Sequence, residues 1–109
     1  MYLIGDIGGT KVHLAYYDHD RMVKEEKFSS RSYNSFDEIL KKFVDRSADK
    51  SYLALAGPIH DRKSHLTNLK WEIEADRIEK EFRISKVELI NDLAAAGWGL
   101  KRLRPNNLF

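Results

Sequence analysis

Residues Ile4–Lys11 read IGDIGGTK, an apolar run that ends in a carboxylate and then a glycine pair. Two glycines after a short strand suit a tight turn into a second strand, because glycine adopts positive φ at little cost. The same stretch suits a phosphate loop. Backbone N–H groups with no side chains around them can come close to phosphate oxygens and form an anion-binding concavity. Thr10 adds a hydroxyl, and Asp6 adds an oxygen ligand of the kind Mg²⁺ takes. The stretch matches neither GxxxxGK[ST] nor GxGxxG, which removes the P-loop and the dinucleotide-binding fingerprint. The turn and the phosphate loop are compatible readings.

Working outward, MYLIGD (1–6) and KVHLAYYD (11–18) are strand-like runs on either side of this turn. The second alternates, with Val12, Leu14 and Tyr16 on one face and His13, Ala15 and Tyr17 on the other. RMVKEEKFS (21–29) is a third, more polar strand, so three antiparallel strands open the chain. The period then changes. Phe36, Ile39, Leu40, Phe43 and Val44 fall on one helical face, and Ser35 with Glu38 forms a capping-box pattern. SYLALAGP (51–58) reads as a buried strand stopped by Gly57-Pro58, and HDRKSHLTNLKW (60–71) as a short hairpin or an edge segment. EADRIEKEF (74–82) predicts a helix, KVELI (86–90) a strand, and NDLAAAGWGLKRL (91–103) a small-residue helix opened by Asn91. The expected layout is an α/β mixed sheet of three antiparallel strands followed by alternating helices and strands.

Composition bounds the function. The 109 residues suffice for one domain, and 42% hydrophobic with 33% charged residues is the balance of a globular protein. Nineteen Lys and Arg against seventeen Asp and Glu leave +2, too small an excess to argue for nucleic acid or an anionic membrane as partner. There is no cysteine, hence no disulfide framework and no thiolate zinc site. No apolar run approaches a membrane span and the start lacks a signal peptide's pattern, so a cytoplasmic location is expected.

The other informative stretch is LINDL (89–93), where a strand delivers Asn91-Asp92 to a helix start. Asn91 can be an N-cap and Asp92 a first-turn acid favoured by the helix dipole. Equally, Asp92 can take a proton from a substrate hydroxyl while Asn91 hydrogen-bonds a neighbouring one, the dipole keeping the base ionised. Neither reading wins on these residues alone. The four histidines (His13, His19, His60, His65) lack metal-site spacing and are expected on the surface, and Trp71 and Trp98 are expected as core anchors.

Taken together, Asp6-Ile7-Gly8-Gly9-Thr10, Ala56-Gly57-Pro58, Leu66-Thr67-Asn68-Leu69-Lys70-Trp71 and Leu89-Ile90-Asn91-Asp92-Leu93 resemble the bacterial-type glucokinases of the sugar kinase, heat-shock protein and actin superfamily. The resemblance implies a ribonuclease-H-like (actin-like ATPase) domain over residues 1–109. It implies ATP-dependent phosphorylation of glucose with ATP and Mg²⁺. Asp6, Gly8, Gly9 and Thr10 would form the first phosphate loop, with Asp6 near the metal through water. Asn91, Asn68 and Gly57 would lie at the sugar, and Asp92 would be the catalytic base. Family members are longer and carry a second, C-terminal domain, so the resemblance makes this chain the N-terminal part of a two-domain kinase. It is then expected to be inactive alone, its site completed by a missing C-terminal half or by self-association. A kinase for another hexose or sugar amine, and a non-catalytic sugar-binding or regulatory module, are the alternatives. A DNA-binding regulator would carry a helix-turn-helix ahead of the first strand, which here starts at residue 2, and is not expected.

Overall fold

The computed structural model describes residues 1–91. In chain order the strands are β1 (Tyr2–Ile7), β2 (Lys11–Asp18), β3 (Arg21–Ser29), β4 (Ala48–Leu55), β5 (Lys63–Leu66), β6 (Trp71–Glu74) and β7 (Ile84–Asn91). Helix α1 (Phe36–Phe43) follows β3 after a short 3₁₀ turn, and α2 (Ala75–Phe82) follows β6. The main sheet has the order β3-β2-β1-β4-β7. β1, β2 and β3 pair antiparallel, as the alternating runs and short turns require, whereas β4 and β7 run parallel to β1. The sheet therefore has five strands, not three. Each helical crossover returns the chain in the original direction, which lets a later strand join in parallel.

Burial follows from that order. β1 lies in the middle, and its run is apolar on both faces, as for a strand covered on both sides. Leu3 and Ile7 join Val12, Leu14, Tyr16, Leu53 and Leu55 in the larger core, while Ile4 joins Ala15, Tyr17, Tyr52 and Ala54 on the other face. Phe36, Ile39, Leu40 and Phe43 of α1 and Ala75, Ile78 and Phe82 of α2 pack into the larger core. Trp71 is fully buried there, as expected of an anchor, whereas Trp98 lies outside the described residues. Neither described helix is long and apolar enough to cross a membrane.

The capping box forms with a shift. Ser35 Oγ accepts from the Glu38 N–H at 3.3 Å, but Glu38 Oε1 accepts from the N–H of Asn34, one residue ahead of the cap, at 2.6 Å. The ambiguous 60–71 segment is a hairpin, and β5 and β6 make a separate two-stranded sheet. It opens on a tight turn in which His60 and Lys63 exchange backbone hydrogen bonds of 2.9 and 3.0 Å around Asp61 and Arg62. These two residues have φ of 52° and 62°, the doubly left-handed turn that matches strand twist.

Arg62 is an unusual choice at a positive φ, and its contacts explain why it is held there. Its carbonyl accepts the N–H of Ala75 at 3.0 Å, satisfying one of the unpaired donors at the start of α2. Its guanidinium donates to Asp76, to Glu79 Oε2 and to the Val87 carbonyl. Glu79 Oε2 in turn accepts the Val87 N–H at 2.7 Å. One side chain thus ties the hairpin to α2 and to β7. The hydrogen bond from Arg62 holds the Glu79 carboxyl below its ordinary value, with the Val87 N–H adding to it.

A folded-state pKa depressed in this way gives stability that is complete above the unfolded value and is lost as pH falls through the folded one. Thermal unfolding followed from about pH 7 to about pH 3 should show wild type losing its advantage over Glu79→Gln only in the acid range, below the ordinary carboxylate value. Parallel pH curves for the two proteins would refute this role for Glu79.

Candidate functional site

The three parallel strands finish level. Ile7 of β1 is opposite Leu55 of β4, and Leu55 is opposite Asn91 of β7. In open α/β sheets the ligand crevice lies beyond the carboxyl ends of such strands. Three of the sequence motifs meet there: Gly8-Gly9-Thr10 leaves β1, Ala56-Gly57-Pro58 leaves β4, and β7 ends on Asn91. Asn91 is exposed and is the last residue of its strand. Asp92 and the helix expected after it lie outside the described residues.

Two clefts open at this edge, and the glycine turn is the wall they share. The first, of about 210 Å³, is lined by Asp6, Gly8, Gly9, Thr10, Lys11, His13 and Lys27. The second, of about 250 Å³, takes in Ile7, Gly8 and Gly9 from the turn, Ala56, Gly57 and Pro58 from the end of β4, and Thr67 and Asn68 from the hairpin. The structure therefore brings Asp6, Gly8, Gly9 and Thr10 to one cleft, and Gly57 and Asn68 to its neighbour.

The glycines do not serve the turn in the way the sequence suggests. Neither Gly8 nor Gly9 has φ between +20° and +160°, so the expectation of a left-handed turn is corrected. The loop closes instead through the Gly8 N–H, which donates to the Lys11 carbonyl at 2.9 Å. A Cβ at Gly8 would stand 3.0 Å from that same carbonyl oxygen, a tight contact with backbone that glycine avoids. Gly9 is different. A Cβ at Gly9 would meet nothing within 4 Å. The fold places no demand for glycine at this position, and what its missing side chain preserves is open space between the two clefts.

Two buried serines hold the walls from behind, and neither stood out in the sequence. Ser30 Oγ donates to the Gly8 carbonyl at 2.7 Å, and the Ser30 N–H donates to the Thr10 carbonyl at 3.0 Å. Ser64 Oγ donates to the Pro58 carbonyl at 2.9 Å, bracing the Gly57-Pro58 turn. Lys11, His13, Lys27 and His65 are further lining residues that the motifs did not mark. Strand register could have found His13, which sits directly opposite Asp6. His13 Nε2 lies 2.5 Å from Glu25 Oε2, and His65 Nδ1 lies 2.7 Å from Glu72 Oε1.

For a metal, the first cleft offers the Asp6 carboxylate at its floor, 7% exposed, and the Thr10 hydroxyl. No group of three or more His, Cys, Asp or Glu side chains converges among the described residues. That donor set fits Mg²⁺ in its usual manner, held by one carboxylate together with waters and substrate phosphates rather than in a protein cage.

Comparison with known proteins bears on the whole chain. A family model described as Glucokinase matches residues 3–109. A glucokinase of Synechocystis sp. is 33% identical over 98% of this chain, and one of Nostoc punctiforme is 32% identical over 99%. The crystal structure of a glucokinase from an Antarctic psychrotroph superposes with a TM-score of 0.68 and 29% identity over 85% of this chain. The chain spans about a third of the length of these relatives, 35% and 34% of the two curated sequences and 32% of the solved one.

The contrast between the two glycines is measurable. Gly9→Ala should leave the unfolding free energy from urea titration within about 0.5 kcal/mol of wild type, because the added methyl meets open space. Gly8→Ala should cost about 1 kcal/mol or more, because its methyl presses on backbone. Equal destabilisation by the two would mean that Gly9 also serves the fold.

Proposed function

This chain belongs to the glucokinase family, and we propose that it provides the first phosphate loop and the acceptor side of an ATP-dependent glucose kinase. The observation that carries the reading is Gly9, a glycine the fold does not require, standing open between two clefts. Phosphoryl transfer needs a donor on one side of a gap and an acceptor hydroxyl on the other, in line and close. A side chain in the gap would block that approach. In this reading the fold is the ribonuclease-H-like, actin-like ATPase domain of a longer two-domain kinase, a class with which three antiparallel strands followed by two parallel ones agree.

The roles then follow from position and chemistry. The amides of Gly9 and Thr10 and the Thr10 hydroxyl face the ATP phosphates, while the Gly8 N–H closes the loop onto the Lys11 carbonyl and Ser30 holds the Gly8 and Thr10 carbonyls. Asp6 is the residue that would hold Mg²⁺, through the ion's water shell. When bound, Mg²⁺ offsets the charge that builds on the phosphates during transfer. In the second cleft Gly57 lets a sugar ring come close to backbone, and Asn68 supplies an amide that can both donate and accept hydrogen bonds to hydroxyls. Asn91, at the end of β7, binds a further hydroxyl. Asp92 follows it in the chain and takes the proton of the attacking hydroxyl as the new O–P bond forms. The relatives' greater length supplies further contacts to adenosine and sugar, so activity is assigned to a protein of that length.

The test is ADP release with glucose and Mg-ATP, on this chain and on a version extended to the length of the relatives. Glucose-dependent turnover is expected in the extended form, with Asp92→Asn lowering kcat by about 10²–10⁴-fold and leaving the fold intact. Turnover with another hexose or an amino sugar in place of glucose would correct the substrate. Sugar binding without turnover of any of them would convert the reading to a binding module.

A further inference from the structure

The first cleft carries two lysines that the phosphate-loop motif does not include. Lys27 lies on β3, two strands away from Asp6, and reaches the cleft through the register. Asp6 is opposite His13, and His13 is opposite Lys27, so the three form one row across β1, β2 and β3. Lys11 begins β2 opposite Ser29, on the same face as His13 and diagonal to Lys27, within reach for long side chains. Both lysines are exposed.

Lys24, Lys63 and Lys86 each have a carboxylate partner, in Asp45, Glu74 and Glu88. Lys11 and Lys27 have no ion pair with any described residue. The acid nearest Lys27 along its own face is Glu25, two residues back, and its carboxylate is taken by His13 at 2.5 Å. The cleft lining thus combines the Asp6 carboxylate, the backbone of the glycine loop with the Thr10 hydroxyl, and two lysines. A carboxylate faces a metal ion well and ammonium groups face phosphate oxygens, which is the charge pattern of a metal–polyphosphate complex.

We infer that Lys27, with Lys11 beside it, forms the cationic wall of this cleft and takes the distal phosphates of a polyphosphate chain bound with Mg²⁺. This rests on the phosphate-loop reading of Gly8, Gly9 and Thr10. The shared chemistry belongs to nucleoside triphosphates and to inorganic polyphosphate. The motif residues alone grip the chain from one side, and Lys27 grips it from the other, so β3 becomes part of the donor site.

The test is calorimetric titration of this chain with Mg-tripolyphosphate and with Mg-ATP, at low and at moderate salt. Circular dichroism confirms that each variant is folded, which is expected because both lysines are exposed. Lys27→Gln should weaken both probes about three- to tenfold and reduce the salt dependence, and Lys27→Arg should restore most of the affinity. Lys11→Gln should act in the same direction with a smaller effect. Tighter binding of Mg-ATP would assign the cleft to a nucleoside triphosphate, and binding of Mg-tripolyphosphate at least as tight would assign it to inorganic polyphosphate. Wild-type binding that Lys27→Gln leaves within twofold would overturn the inference while the phosphate loop stands. Absence of binding of either probe to wild type would overturn both together.

Discussion

The arrangement depends on the parallel register of β1, β4 and β7. Backbone hydrogen bonds place Ile7, Leu55 and Asn91 at one level, so three segments that are far apart in sequence leave the sheet at one edge. The constraint is stiff because β1 and β4 bury both faces, and a slip of one residue would exchange the inward and outward sets of every side chain. In a slipped sheet Asp6 would trade places with Ile7 and face the apolar core. The clefts are thus a consequence of strand pairing, and the loops that line them need only short reach.

Short loops still require bracing, since their polar groups face solvent on one side. The two serines do this in parallel fashion, Ser30 at the Gly8 carbonyl and Ser64 at the Pro58 carbonyl. Both serines are essentially buried, at 0% and 2% exposure, so each hydroxyl is fixed by packing and the carbonyl it binds is fixed with it. Tying down these carbonyls leaves the loops little freedom to change shape. A rigid scaffold carrying short functional loops is the usual division of labour in such domains.

Much of the fold was legible because each element carries its own period. The alternation of 11–18, the spacing of Phe36, Ile39, Leu40 and Phe43, and the stop at Gly57-Pro58 each specify local structure without tertiary help. What the periods do not contain is which strands become neighbours, and so the joining of β4 and β7 to the antiparallel trio had to come from the structure. The site divides in the same way. Asp6, Gly8, Gly9, Thr10, Gly57 and Asn68 stood out as motifs, and they meet at two adjoining clefts. Ser30, Ser64 and Lys27 did not, because a serine or lysine in or beside a strand has no local signature and acquires its place only through pairing. The positive φ assigned to the glycine turn failed for a related reason. Local preference permits a left-handed turn, but the bond from the Gly8 N–H to the Lys11 carbonyl closes this one without it.

Arg62 shows how the hairpin that lines the second cleft is tied to the rest of the sheet. The chain leaves β4 through Gly57-Pro58 and turns at Asp61-Arg62, both left-handed, a conformation that costs free energy for residues with a Cβ. That cost persists because Arg62 cannot release the turn without also releasing Asp76, Glu79 and the Val87 carbonyl. Val87 sits four residues before Asn91 on β7, and Ser64, two residues after Arg62, braces Pro58. The same guanidinium therefore ties the hairpin that lines the second cleft to β7. The ion-pair cluster lines neither cleft, yet it holds together the hairpin that carries Asn68, helix α2 and the strand that ends on Asn91.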